Sequence, residues 1–268
     1  MLIPRVYRLK ILIILLYYNR PLLLCNALRS VALATQNYTN WTMTVLDDGS
    51  EIPAEPVVNR FFGSKIPILN TNMSIEDKIR DGIGVGKIAN QVLSSSDADI
   101  YITLCDDDQI HPAYFRKLNR FFLKNNNCKY CYSQVNLYNP LLKDIKLVDN
   151  VTGPYNQHHG SIDCYGKVDS SQVACRLSTL RDANIWYRDT TKSSDPSRAG
   201  NPWIYNLDGE MFKELSRKVG KACETGFISQ YKGCHEQQLV LHKENKFKSH
   251  EDIREYHKST LARANKDY

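Results

Sequence analysis

The chain has 268 residues, 42% of them hydrophobic and 24% charged, enough for one large domain or two small ones. Its formal charge of +6 and pI near 8.8 suit an anionic substrate or surface but fall short of a nucleic-acid footprint, so no nucleic-acid partner is expected. The eight cysteines are scattered, and Cys128-x-x-Cys131 lacks a second pair to complete a zinc site, which points to a reduced, cytoplasmic setting.

In chain order, Lys10 to Tyr18 is a continuous Ile/Leu run, the pattern of a parallel strand buried on both faces. It is too short to span a membrane, and no small-residue cleavage site follows it. Asn19-Arg20-Pro21 is a turn with Pro near the first helical position, and Leu22 to Ala34 has helical spacing. Trp41 to Leu46 reads as a second strand closed by the turn Asp47-Asp48-Gly49-Ser50. The stretch from Glu51 to Met73 is interrupted by Pro53, Pro56 and Pro67, with a short strand at Ile66 to Leu69. Asp81 to Lys87 is glycine-rich but fails the Walker pattern, so it reads as a loop leading into a helix from Lys87 to Ser94.

Ile100 to Leu104 is the strand that delivers Cys105-Asp106-Asp107-Asp108. Three successive carboxylates repel one another unless a cation neutralises them. Two readings stand side by side. One is a clamp for a hard divalent ion, Mn²⁺ or Mg²⁺, and a diphosphate, at the strand end where open α/β sheets bind ligands. The other is an acidic turn capping the next helix. Tyr114 to Leu123 is a basic amphipathic helix and Lys129 to Leu137 a strand. From Asp144 to Asp182 periodicity is weak apart from Gln172 to Leu180, and Arg188 to Asn201 reads as a mobile loop. Asp208 to Val219 and His250 to Ala264 read as helices. The Lys-, Arg- and His-rich tail after Val219 suits either a solvated helix or peripheral contact with acidic lipid; the solvated helix is favoured because no clear apolar face accompanies the charge.

Several segments taken together resemble family 2 glycosyltransferases. They are Tyr18-Asn19-Arg20-Pro21, Leu28-Arg29-Ser30-Val31, Gln36 to Trp41, Val45 to Ser50, Ala89-Asn90, and Tyr101 to Asp108 followed by Pro112. The resemblance covers residues 9 to 115 best and weakens beyond. It implies an α/β GT-A fold with a Rossmann-like, mostly parallel central sheet flanked by helices and a smaller acceptor-side subregion. The whole chain would be one domain: about 9–125 for the nucleotide sugar, about 126–245 for the acceptor, and about 246–268 as a C-terminal helix.

Function is implied on the same ground: transfer of a sugar from a nucleotide-diphosphate sugar, with uridine the best fit, to a hydroxyl on a glycan, lipid or protein. The transfer would invert the anomeric carbon and use Mn²⁺ or Mg²⁺. Tyr18 would stack on the base and Asp48 accept from its edge. Asn19, Arg20, Arg80, Lys87 and Asn90 would serve the rest of the donor, with Asp106 and Asp107. Asp106, Asp107, Asp108 and His235 are the metal candidates. Asp208 resembles the family's base at the start of a helix, with Glu210 as alternate, although both would serve equally as helix-capping carboxylates. Asp169 and Gln172 fall where the acceptor pocket is expected. The rival readings are a sugar-phosphate nucleotidyltransferase, whose glycine-rich first turn Tyr17 to Pro21 lacks, and a silent nucleotide-sugar-binding scaffold.

Overall fold

A computed structural model describes residues 8–74, 76–77, 84–138, 153–155, 158–187 and 207–233. Arg80, His235, most of the glycine-rich segment before Lys87, the 188–201 loop and the 250–264 helix lie outside the described residues.

The chain opens as expected from its apolar runs: β1 (Ile11–Tyr17), α1 (Pro21–Thr35) and β2 (Trp41–Asp47), then α2 (Glu55–Phe62), β3 (Ile68–Asn70), α3 (Val85–Ser95) and β4 (Ile100–Cys105). There follow β5 (Gln109–Ile110), α4 (Tyr114–Lys124), β6 (Tyr130–Tyr138), β7 (Gly153–Tyr155), β8 (Val173–Arg176), α5 (Leu177–Asp182), α6 (Leu207–Lys218) and β9 (Cys223–Gly233). The nine strands of the described residues form one sheet in the order β3-β2-β1-β4-β8-β6-β9-β5, with β7 on β6. β3, β2, β1 and β4 are parallel, so the carboxyl ends of β1, β2 and β4 share one edge. Beyond β4 the pairing mixes: β8 is antiparallel to β4 and β6, while β9 is parallel to β6 and antiparallel to β5.

β1 is apolar on both faces because both are covered. Ile11, Ile13 and Leu15 join a core with Leu24 and Leu28 of α1, Val58 of α2 and Phe115 and Phe122 of α4. Leu12 and Ile14 face a second core with Ala89 and Leu93 of α3 and Met211, Phe212 and Leu215 of α6. Helices thus sandwich the sheet, the doubly covered α/β architecture.

Two expectations change. Pro56 does not interrupt the segment after β2; it sits in the first turn of α2, where a missing N–H costs nothing. The stretch after Val219 is not a solvated helix through its first part, since β9 lies between β6 and β5 with Ser229 and Gln230 fully buried. Among the described residues no helix is long and apolar enough to cross a membrane, and the seven described cysteines are unpaired.

Candidate active site

The β1–α1 turn comes first. Asn19 takes φ of 50°, a left-handed conformation that Asn tolerates better than most residues. Its N–H donates to Ser50 Oγ at 3.1 Å, and its Oδ1 accepts from the Ile52 N–H at 3.0 Å. Buried and so engaged, Asn19 ties the β1 exit to the β2 exit. Arg20 follows and points under the end of β4.

β4 ends in the acidic turn, and its carboxylates have different neighbours. Asp106 is enclosed: Oδ2 accepts from the Tyr18 N–H at 3.0 Å and from Arg20 Nε at 3.2 Å, and Oδ1 accepts from Arg20 Nη2. Asp107 Oδ2 accepts from Arg20 Nη1 at 3.0 Å. Asp108 Oδ1 accepts from the Gly233 N–H at 3.0 Å. Its Oδ2 is buried with no hydrogen bond, and Lys232 Nζ stands 3.9 Å away. Lys232 turns instead to Asp169 Oδ2 at 2.9 Å. Among the described residues, Arg20 and Lys232 bring two positive charges to four carboxylates, those of Asp106, Asp107, Asp108 and Asp169.

Burial pushes the Asp106 carboxyl up to about 6 despite Arg20, and the Asp108 carboxyl up to about 8 despite Lys232. Burial also works against Asp169, but Lys232 and the Ser171 hydrogen bonds outweigh it and hold that carboxyl below the usual range. Sγ of Cys105 and one oxygen each of Asp107 and Asp108 lie within 4.8 Å of one another. The orphaned Asp108 oxygen and this convergence of donors fit a divalent cation; Asp106, spent on Arg20 and Tyr18, stands outside the group.

Across from this turn, Asp208 and Glu210 occupy the first turn of α6. Asp208 Oδ1 accepts from the Gly209 N–H at 2.8 Å, and burial, reinforced by the charge of Asp169, raises its carboxyl to about 6. Glu210 is buried. Tyr187 belongs to the same neighbourhood. Its hydroxyl lies 2.8 Å from that of Tyr101 and 3.4 Å from Thr103 Oγ1, and it titrates at about 12 through burial and the nearby Asp208 charge. Tyr101, Thr103 and Cys105 alternate along β4, so they share one face of the sheet.

The other expected residues are placed as follows. Asp48, at the β2 exit, is buried and accepts from Thr71 Oγ1 at 3.4 Å. Its neighbour Asp47 builds the turn, accepting from the N–H groups of Ser50 and Ala54 at 2.9 and 3.1 Å. Gly49 is required there, because φ is 67° and a Cβ would sit 2.2 Å from the Met73 carbonyl oxygen. Tyr18 is half-buried beside Asp106, and Lys87 is exposed at the start of α3. Asn90 spends both ends of its amide on the Tyr187 backbone. Gln172 is fully buried, closing a capping box with Asp169 and donating to the Ser133 carbonyl at 2.9 Å. It holds the wall and leaves no polar atom for an acceptor. Asp169 joins the acidic turn through Lys232.

The pattern-based reading misses Cys105 as a donor and Tyr187 altogether; Lys232 it reaches only through the stretch Tyr231 to His235, which resembles a late aromatic-basic-x-His motif of the family. Only the alternation of Tyr101, Thr103 and Cys105 before the aspartates signals the first; Tyr187 reaches the site over a long sequence separation.

The sequence model described as Glycosyl transferase family 2 matches residues 12–158, more than half of the chain. The chain belongs to that family. Among curated proteins no relative matches by sequence. Among solved structures this glycosyltransferase-family chain is similar to the crystal structure of S. aureus TarS 1–349, with a TM-score of 0.60 and 13% identity over 84% of this chain and 60% of that one. TarS 1–349 in complex with UDP gives 0.60 and 14% identity, covering 86% and 62% of the two chains. Its complex with UDP-GlcNAc gives 0.59 and 14%, covering 85% and 59%. The chain thus spans about three fifths of TarS 1–349, and the likeness is one of fold, GT-A.

Proposed function

We propose that the protein transfers a sugar from a uridine-diphosphate sugar to a hydroxyl acceptor with inversion, assisted by a divalent cation. The observation that carries this reading is the convergence of the acidic turn, Arg20, Lys232 and Asp208 at the carboxyl edge of β1 and β4. Supporting it are the family membership and the fold shared with a protein crystallised with UDP and UDP-GlcNAc.

Asp107 and Asp108 would hold the cation, which when bound offsets the charge of the diphosphate leaving group. Among the described residues Arg20 and Lys232 are cations at that edge, placed to take phosphate oxygens while remaining within reach of their carboxylates. Tyr18 would stack on the base, and Asp48 would accept from the uracil N–H. Asp208, raised toward neutrality by burial, would take the proton of the acceptor hydroxyl as the new bond forms on the opposite face of the sugar. The segment up to α4 would serve the donor and the segment from β6 onward the acceptor.

Calorimetric titration with UDP, with and without Mn²⁺, followed by a donor screen for release of free nucleotide, tests the proposal. Metal-enhanced UDP binding and release of UDP from one sugar donor are expected. Absence of UDP binding under both conditions would overturn it.

A further inference from the structure

The acidic turn carries a donor that a site for hard cations does not need. Cys105 is the last residue of β4, partly exposed, and alternation puts its side chain on the face of Tyr101 and Thr103, toward Tyr187 and α6. Its Sγ lies with oxygens of Asp107 and Asp108 inside a 4.8 Å group. Donors bound tetrahedrally to one ion are separated by about 3.6 Å, given metal–oxygen and metal–sulfur lengths of about 2.1 and 2.3 Å. Small side-chain rotations close that gap. A second observation points the same way: Asp108 is fully buried, its Oδ2 accepts no hydrogen bond, and the Gly233 N–H fixes the other oxygen. Asp106 is not a competing donor, because Arg20 and the Tyr18 N–H occupy both of its oxygens.

We infer that Cys105 is a metal ligand, its thiolate completing a Cys105–Asp107–Asp108 donor set that favours borderline ions such as Co²⁺ and Zn²⁺ over Mg²⁺. This rests on the reading that the acidic turn holds the divalent cation of a glycosyltransferase. On binding, the thiol proton passes to solvent and a sulfur lone pair forms the bond to the metal; nothing is oxidised or reduced. Thiolate sulfur is the softer donor, so its presence moves selectivity away from Mg²⁺, which prefers an all-oxygen octahedral shell.

The test uses the full chain, stripped with a chelator and titrated with Co²⁺ in parallel with Cys105→Ser, Cys105→Ala, Asp107→Asn and Cys128→Ser, each checked for native circular dichroism. The expected result is a thiolate-to-cobalt charge-transfer band saturating at one equivalent in the wild type and in Cys128→Ser. The band should vanish in both Cys105 variants, whose Co²⁺ affinity should fall by at least about tenfold while Mg²⁺ affinity stays put. A band that survives in Cys105→Ser, or a wild type that binds Co²⁺ through Asp107 without any band, would overturn the inference. The band reports on the ligand whether or not UDP binds, so loss of UDP binding alone would strike the transferase reading and leave this one decided on its own evidence.

Discussion

Arg20 meets Asp106 as a fork, Nε to Oδ2 at 3.2 Å and Nη2 to Oδ1, and with its remaining nitrogen reaches Asp107 at 3.0 Å. One guanidinium from the first turn of the fold thus holds two carboxylates of a turn 86 residues away. Removing it strands a buried charge. Arg20→Ala should cost about 3–5 kcal/mol of stability, read as a lower denaturation midpoint in urea, and should weaken UDP binding. Arg20→Lys retains the charge and loses the fork, so its midpoint should fall between the other two.

Asp208 governs the expected pH dependence. Its carboxyl titrates at about 6 because it is buried and faces Asp169, so below that value it is protonated and cannot accept a proton. Turnover should climb as pH rises through about 6 and level off above it, and Asp208→Asn should retain UDP affinity while losing about 10²- to 10⁴-fold in turnover. The stability sign is the opposite one. A carboxyl raised in the fold favours the folded state at low pH, and that contribution is lost as pH climbs from the ordinary Asp value through about 6. The Asn variant should lose this slope, which thermal melts at pH 5 and pH 7.5 would reveal.

The Asn90 amide pairs with the Tyr187 backbone in both directions, donating to the carbonyl at 2.7 Å and accepting from the N–H at 2.9 Å. Asn90→Asp preserves the shape but sets a carboxylate against a carbonyl. About 1–3 kcal/mol of stability should be lost, with turnover falling more than UDP affinity, because Tyr187 neighbours Asp208.

What the sequence makes legible follows from how each element is stabilised. β1, α1, β2, β4 and α4 bury continuous or periodic apolar runs, and pattern alone places them. β9 escapes because its centre buries Ser229 and Gln230, polar groups whose partners lie far off in sequence, on Gln134 and Ser171. The acidic turn announces a site, but its division of labour is invisible in three identical letters: Asp106 answers Arg20, while Asp108 answers Gly233 and faces Lys232. Asn19, Asn90 and Gln172 look like ligand contacts because amides in turns often are, yet here each satisfies backbone groups.

Gly233 touches the acidic turn so closely that a Cβ there would lie 2.1 Å from the Asp107 carbonyl oxygen. Gly233→Ala should cost about 1–3 kcal/mol and shift the turn, weakening metal-dependent UDP binding more than metal-free binding. Titration of the purified variant would show it.

That contact also bears on how the protein comes to exist. The N–H that steadies Asp108 arrives 125 residues after it, carried by the strand that brings Lys232. During synthesis Asp108 waits for both of these partners until β9 has been made and paired between β6 and β5. Contacts of such long range are slow to close, so the pocket should mature after the β1–β4 layer. Ribosome-tethered fragments ending before Ala222 should accordingly form the β1–β4 layer without competence for UDP, and acquire it only when the strand is complete.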